Sequence, residues 1–291
     1  DCCGHSVVLC LLRTLARQCK CGCVFVAASS IAFGADIASA VNPVLPSPFH
    51  LIDLESVAST NDEALERASG GASDWTVVRA VEQRAGRGRR GKIFASPPGN
   101  SYTSFLLRPD CVHADAPQIA LLAGLAVARA IGQIAPHLPP AQCKWPNDVL
   151  IEGNKVCGIL VEAASTGNRL EAVIVGIGVN LTNHPTVDGV RISDLGALGA
   201  RIDRDIWLNA LAPNLKILVD LWLERGFAAV REIWLGHAAG LNAHVTHSED
   251  SRPPLHGTFV GVDDAGALLI SDTTGQIHRC VSGSLVLEDV A

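Results

Sequence analysis

Residues 144–162 read KWPNDVLIEGNKVCGILVE, and the assignment of the whole fold turns on them. Pro146-Asn147-Asp148 and Glu152-Gly153-Asn154 are turn triplets, and the apolar stretches at 149–151 and 155–162 read as strands between and after them. The middle of the chain is therefore a β-meander. Lys155 heads a strand that is otherwise apolar at Val156, Ile159 and Leu160, so its ammonium projects from a packed sheet. Asn147 and Asp148 in a turn offer the oxygen ligands that Mg²⁺ takes beside nucleotide phosphates. Taken alone, Lys144 or Asp148 reads first as half of a hairpin salt bridge.

Upstream, Leu51 to Leu54 reads as a short strand. Ser59-Thr60-Asn61-Asp62-Glu63 follows, with Thr60 and Glu63 at capping-box spacing, and predicts a helix over Ala64, Leu65 and Ala68. The β-branched stretch 76–81 is a strand that delivers the chain into residues 84–92, where Arg84, Arg87, Arg89, Arg90 and Lys92 alternate with Gly86, Gly88 and Gly91. Five cations in nine residues of an acidic chain call for a polyanion. Glycine lets backbone N–H groups face one point, and guanidinium forks match phosphate or carboxylate, so this loop is suited to folding over an anion and to being disordered without one. Its bland alternative is a solvated basic loop or an RNA-binding Arg/Gly segment. Residues 102–107 are another strand, and Asp115-Ala116-Pro117 opens a helix with Ile119, Leu122, Ala123, Ala126 and Ala130 on one face, ended by Pro136, Pro139 and Pro140.

Downstream, residues 171–181 form a long strand punctuated by Gly176 and Gly178, where a ligand or another backbone comes close. Residues 205–224 and 227–238 have helical periodicity. From Asn242 short strands at 255–262, 266–271, 276–281 and 284–287, separated by Asp/Gly turns, predict a small barrel-like β module.

With 291 residues, 48% hydrophobic and 18% charged, the chain is long enough for one or two domains that fold by burial alone. A formal charge of −6 excludes a whole surface built to grip nucleic acid. No run of eighteen apolar residues is evident, so no membrane association is expected. The chain starts at Asp1 and has no Met, which reads as a processed chain, a fragment or a non-Met start. Six of its ten Cys lie in the first 23 residues, and the remainder lack paired spacing, so the body reads as reduced and cytoplasmic. Residues 1–40 imitate a secretory signal, but Asp36 interrupts the apolar run before Ala38-Ser39-Ala40. Cys19, Cys21 and Cys23 have no matching second half for a zinc site. The leader is accordingly expected to be an unstructured extension, with Pro43, Pro46 and Pro48 marking where the folded body begins.

The motifs GRGRRGK (86–92), KWPND (144–148), KVCGILVE (155–162) and GIGVNL (176–181), with STN at 59–61 ahead of them, occur together in one order. In that order the chain resembles the biotin protein ligases, also called holocarboxylase synthetases, over about residues 50–287. The resemblance implies an α+β fold: a mixed central sheet with flanking helices in residues 45–239, then a small SH3-like β-barrel domain in 240–291, after a Cys-rich leader at 1–44. It implies an ATP-dependent, Mg²⁺-assisted reaction in which biotin becomes biotinyl-5′-AMP and is passed to a lysine of a biotin carboxyl carrier domain, as in acetyl-CoA carboxylase or a related carboxylase. Biotin would be held by Ser59, Thr60, Asn61, Gln83, Gly86, Arg87, Gly88, Arg89, Lys155 and Gly158. Lys155, Arg89 and Arg87 would be catalytic, helped by backbone N–H groups near Gly86 and Gly88. Nucleotide and phosphate would meet Arg90, Lys92, Lys144, Asn147, Asp148 and Asn180, with Asp148 as the Mg²⁺ ligand.

The sequence departs from the family pattern in three places. Lys92 and Phe94 stand where an Arg and a Trp are usual, so a planar fork is lost while charge and aromatic packing are kept. Residues 1–47 are too few for the winged helix-turn-helix of the repressor forms, so no DNA binding is expected. A Trp that stacks on adenine has no counterpart near 184–196. Homodimerisation is an option. Two rivals stand beside this reading: a lipoate ligase or octanoyltransferase of the same fold, and a nucleic-acid-binding protein using the Arg/Gly loop.

Overall fold

The computed structural model describes residues 45–111, 115–166, 169–250 and 252–288; the leader, with its signal-like run and Cys19, Cys21 and Cys23, lies outside them. Two sheets organise the described chain. The first has seven strands: β1 (His50–Val57), β2 (Thr76–Gln83), β3 (Ser101–Leu107), β4 (Gln142–Lys144), β5 (Asp148–Ile151), β6 (Asn154–Thr166) and β7 (Arg169–Val179), in the order β1-β2-β3-β7-β6-β5-β4. Only β1 and β2 run parallel. They are joined by helix α1 (Thr60–Ser69), which a parallel pair requires.

The two faces of this sheet are covered unequally. On one, Ala64 and Ala68 of α1 pack on Val78, Leu106, Ala172 and Ile174 in a small cluster. On the other, helix α2 (Ala116–Ile134) is buried along nearly its whole length between the sheet and α3 (Arg204–Arg225), with α4 (Ala228–Leu235) beyond. α2 and α3 are, by length and composition, apolar enough to span a bilayer, contrary to the sequence reading. Their apolar side chains are used instead in the core, against Phe105, Val175, Ile177 and Trp207.

The second sheet holds β8 (His244–Ser248), β9 (Leu255–Val262), β10 (Leu268–Ser271), β11 (Ile277–Cys280) and β12 (Ser284–Leu287), antiparallel in the order β11-β10-β9-β8-β12. β8 escaped the sequence reading because Val245 is its one aliphatic residue, and a buried His247 takes the next inward position. Val245, Phe259, Leu268, Ile270 and Leu285 continue the main core, so the two sheets share apolar packing. Trp145 bolts them together: its indole is buried and donates through Nε1 to the Gly266 carbonyl at 3.1 Å. The His247 ring packs beside it at 6.0 Å.

The capping box expected at Thr60 and Glu63 does not form. The helix begins one residue earlier than that spacing needs, with Ser59 at the N-cap. Thr60 is drawn to β2 instead: its backbone N–H and its hydroxyl both donate to Gln83 Oε1, at 2.8 and 3.0 Å. Glu63 pairs with Arg67 one turn on.

Candidate active site

Strand register explains how motifs far apart in sequence meet. Tyr102 lies opposite Gly178, Gly178 opposite Gly158, Gly158 opposite Asp148, and Asp148 opposite Lys144. One row of residues thus crosses five strands on the same face as α1, where that helix leaves the sheet uncovered, a span of four strand spacings or about 19 Å. Its centre is the Gly158/Gly178 pair, its aromatic end Tyr102, and its charged end Asp148 and Lys144. The row floors a cleft of about 1010 Å³. The mouth is lined by the basic loop, by residues 185–192 and by β12.

The glycines are there because side chains from elsewhere occupy their space. A Cβ on Gly178 would lie 2.5 Å from the Phe94 ring and one on Gly158 3.1 Å from it, so Phe94 lies on a bare patch of sheet. Phe94 meets Tyr102 edge to face at 6.4 Å. Burial pushes the Tyr102 phenol up to about 12, and its hydroxyl donates to the Pro97 carbonyl at 2.7 Å. Similarly, a Cβ on Gly176 would overlap the Asn61 amide.

At the neutral end, a hydrogen-bonded scaffold holds the N-terminus of α1. Gln83 accepts from Thr60 and donates to Ser96 Oγ at 2.9 Å. Ser104 Oγ donates to Asn61 Oδ1 (2.6 Å) or to Thr60 Oγ1 (2.8 Å). Asn61 Nδ2 donates to Glu162 Oε2 (2.7 Å) and to the Leu160 carbonyl (3.3 Å). Both donors of Asn61 are therefore occupied, leaving it one acceptor lone pair for a ligand. Gln83 is spent chiefly on the scaffold. The buried Ser59 side chain lines the cleft beside them.

At the charged end, Lys155 Nζ lies 2.6 Å from Asp148 Oδ1. The Lys155 main chain is clamped as well: its N–H donates to the Arg191 carbonyl and its carbonyl accepts from Ser193, so segment 191–193 runs beside the start of β6. Burial holds the Lys144 ammonium below the ordinary lysine value; Asp148 opposes that shift and Lys155 adds to it. Asn180 is buried, and its Nδ2 donates to the Ser193 carbonyl at 3.0 Å, which leaves Oδ1 for the cleft. Asn147 is committed twice, donating to the Ile159 carbonyl at 2.7 Å and accepting from Arg89 at 3.2 Å. A nucleotide contact at Asn147 would have to displace Arg89.

The basic loop is folded, not disordered. Gly88 N–H donates to the Lys92 carbonyl at 2.7 Å and Phe94 N–H to the Gly86 carbonyl at 2.9 Å, around a 3₁₀ turn at Arg89–Gly91. The N–H of Gly88 is thereby used inside the loop and does not face an anion, against the sequence expectation. The chain supplies its own counter-ions. Arg87 pairs with Asp62 (2.6 Å) and Glu162 (2.8 Å), and Arg90 with Asp250 (3.3 Å). Arg89 donates to Asn147 and to the Gly283 carbonyl at 3.3 Å, bridging the loop to both sheets; burial lowers its pKa, and Arg90 adds to the shift. Arg90 therefore faces the second sheet and Lys92 is exposed at the cleft mouth, while Lys144, Asp148, Lys155 and Asn180 line the charged end of the cleft.

Sequence reasoning missed Ser104, Ser96 and Asn100. Asn100 Oδ1 accepts from the N–H groups of Leu181, Thr182 and Asn183, fixing the chain as it leaves β7. Their signal was polar residues in and beside a strand, β3, that is buried at every position.

A neutral polar slot, a glycine floor and a cationic end share one trough, an arrangement suited to an elongated ligand with an uncharged end and an anionic end. Residues 54–180 match the model of the Biotin/lipoate A/B protein ligase family. The biotin–acetyl-CoA-carboxylase ligase of Paracoccus denitrificans is 38% identical over 75% of this chain and 92% of that protein. The bifunctional ligase/repressor BirA of Bacillus subtilis is 32% identical over 82% of this chain and 74% of that protein. Among solved structures, the biotin protein ligase from Aquifex aeolicus in complex with biotin and ATP superposes with a TM-score of 0.69 at 28% identity, covering 82% of this chain and 98% of that one. The ligase from Leishmania major in complex with biotinyl-5-AMP gives 0.57 at 25%, covering 81% and 99%. The chain belongs to the biotin protein ligase family.

Proposed function

We infer that this chain joins biotin to a lysine of a biotin carboxyl carrier protein through biotinyl-5′-AMP, with ATP cleaved to AMP and pyrophosphate. The observation that carries this is the single row from Tyr102 to Lys144, which sets a neutral slot end to end with a cationic trough. The relatives named for biotin ligation and the neighbours holding biotin with ATP, or biotinyl-5-AMP, support it.

In the first step a carboxylate oxygen of biotin attacks the α-phosphorus, and the bond from that phosphorus to the pyrophosphate oxygen breaks. Two anions must be brought together for this, and Lys155, Arg87 and Arg89 offset their repulsion from fixed positions. Ser59 and the remaining acceptor of Asn61 suit the uncharged ureido ring. In the second step the acceptor amine attacks the acyl carbon, AMP leaves with the anhydride oxygen, and the amine proton passes to solvent. Phe94 and the basic loop shield the anhydride from water in between.

Mg²⁺ belongs to the proposal. Among the described residues no group of three His, Cys, Asp or Glu forms a metal centre of its own. Asp148, with Asn180 Oδ1 nearby in the same cleft, suits a hard cation that arrives on nucleotide phosphates and needs only one or two protein oxygens. Such an ion would neutralise phosphate charge there. A cytoplasmic location is also proposed: Cys111, Cys143, Cys157 and Cys280 are free thiols, and burial pushes Cys143 and Cys157 up, out of reactive range. The carrier we propose is that of acetyl-CoA carboxylase or a related carboxylase.

The test is biotin-dependent exchange of pyrophosphate into ATP, followed by labelling of a carrier domain. Exchange and label with lipoate or octanoate, and none with biotin, would overturn the reading.

A further inference from the structure

The geometry points to Glu162 as a positioning residue that ties the floor of the ligand slot to the basic loop and aims Arg87 at the anionic end of the bound acyl group. The inference rests on the ligase reading and deepens it. Glu162 closes the strand segment KVCGILVE but is not among the residues that line the cleft. Its effect must pass through the two residues it holds, both of which do line it. Glu162 Oε2 accepts from Asn61 Nδ2 at 2.7 Å and from Arg87 Nη2 at 2.8 Å, so one carboxylate oxygen joins α1 to the loop. The other oxygen, Oε1, lies 3.1 Å from the same Nη2.

The choice of nitrogen matters. Asp62 also pairs with Arg87 through Nη2, at 2.6 Å. Both acids thus grip one tip of the guanidinium, and among the described residues nothing takes Nε or Nη1. Nε–H and Nη1 flank that tip on opposite sides of the guanidinium, each left as a single donor for an anion, because both edges that carry two parallel N–H groups include Nη2. The acids do not sequester the cation from its ligand. They hold its far end, and so remove the entropy that a free arginine would lose on binding.

The shared oxygen adds a second consequence. A ligand that settles on Asn61 loads the same carboxylate that fixes Arg87, so filling the slot and placing the fork are one event. Asp62, half exposed, gives a weaker grip than Glu162, which also carries the Asn61 bond.

The experiment is a mutant cycle on the purified full chain with biotin and ATP, following pyrophosphate exchange, biotinyl-AMP dissociation after a biotin chase, and thermal melting. Glu162→Gln should raise the KM for biotin about 10-fold and shorten adenylate retention by about as much, while kcat at saturating biotin stays within about 3-fold. Arg87→Gln should lose at least as much in biotin KM and adenylate retention and lower kcat as well, and the double variant should be no worse than Arg87→Gln alone, because the pair acts as a unit. Glu162→Asp, which keeps the charge, should recover most of the lost biotin KM, whereas Asp62→Asn should change it by no more than about 3-fold. Multiplicative losses in the double variant, or a Glu162→Asp no better than Glu162→Gln, would assign Glu162 to packing alone and overturn the inference. Parent protein with no biotin-dependent exchange would remove the ligase reading and this inference with it; parent activity with an unperturbed Glu162→Gln would sink this inference only.

Discussion

Lys144 and Arg89 show how single residues here trade folding for chemistry. Burial lowers the Lys144 pKa below its unfolded value, so the folded state binds this proton less tightly than the unfolded one. Charged Lys144 is therefore a cost to folding, fully present below its folded pKa and relieved as pH rises toward the unfolded value of about 10.4. Lys144→Gln should raise the melting temperature of the ligand-free protein at pH 7 by about 1–2 °C, a gain that shrinks toward pH 10, while adenylate formation falls. Melting curves across pH check the first part, and a variant that melts lower than the parent at pH 7 contradicts it. Arg89 holds the loop to Asn147 and Gly283 by two hydrogen bonds. Arg89→Gly should release that closure, so that biotinyl-AMP escapes and reacts loosely with free amines while some synthesis continues. If the variant retains the adenylate as long as the parent does in a chase, the loop is not a lid.

The strands explain why glycine recurs in the motifs. Gly158 and Gly178 face each other at the one point of the sheet where the Phe94 ring lies. Gly178→Ala forces that ring aside and should cost about 1–3 kcal/mol with a large rise in the KM for biotin. Adding Phe94→Leu should restore part of the stability, since the clash is with the ring; denaturant melts of single and double variants decide it. Trp145 is the matching feature between the sheets. Trp145→Ala should cost about 3–5 kcal/mol, and Trp145→Phe, which keeps most of the volume but loses the bond to Gly266, about 1–2 kcal/mol. A Trp145→Ala protein with parental melting would show that the second sheet is held elsewhere.

Among the described residues, the apolar clusters and the cleft are built between Leu45 and Leu287, and residues 1–42 contain none of the sequence motifs. Deleting residues 1–42 should therefore leave melting and pyrophosphate exchange nearly unchanged, and a large loss in either would make the Cys-rich segment part of the working protein. Much of this architecture was legible beforehand. Glycine, proline and Asn/Asp turns mark strand ends by local sterics, and helical periodicity marks α2 and α3. Motif chemistry named Lys155, Asp148, Arg87, Arg89 and Asn61. Local rules also misled: Thr60 and Glu63 have capping-box spacing, but Gln83, twenty-three residues away, outcompetes that cap for Thr60. β8 was hidden because histidine occupies a core position, and the five loop cations looked unpaired because Asp62, Glu162 and Asp250 are remote in sequence. By itself the sequence determined most of the elements, their order, and which residue types gather for anion chemistry, since these follow from each residue's own conformational and charge preferences. Only the tertiary structure decided which glycines face one another, which nitrogen of Arg87 is spent, and that Glu162 joins slot to loop, because those depend on strand register and on contacts between segments whose separation along the chain carries no signal.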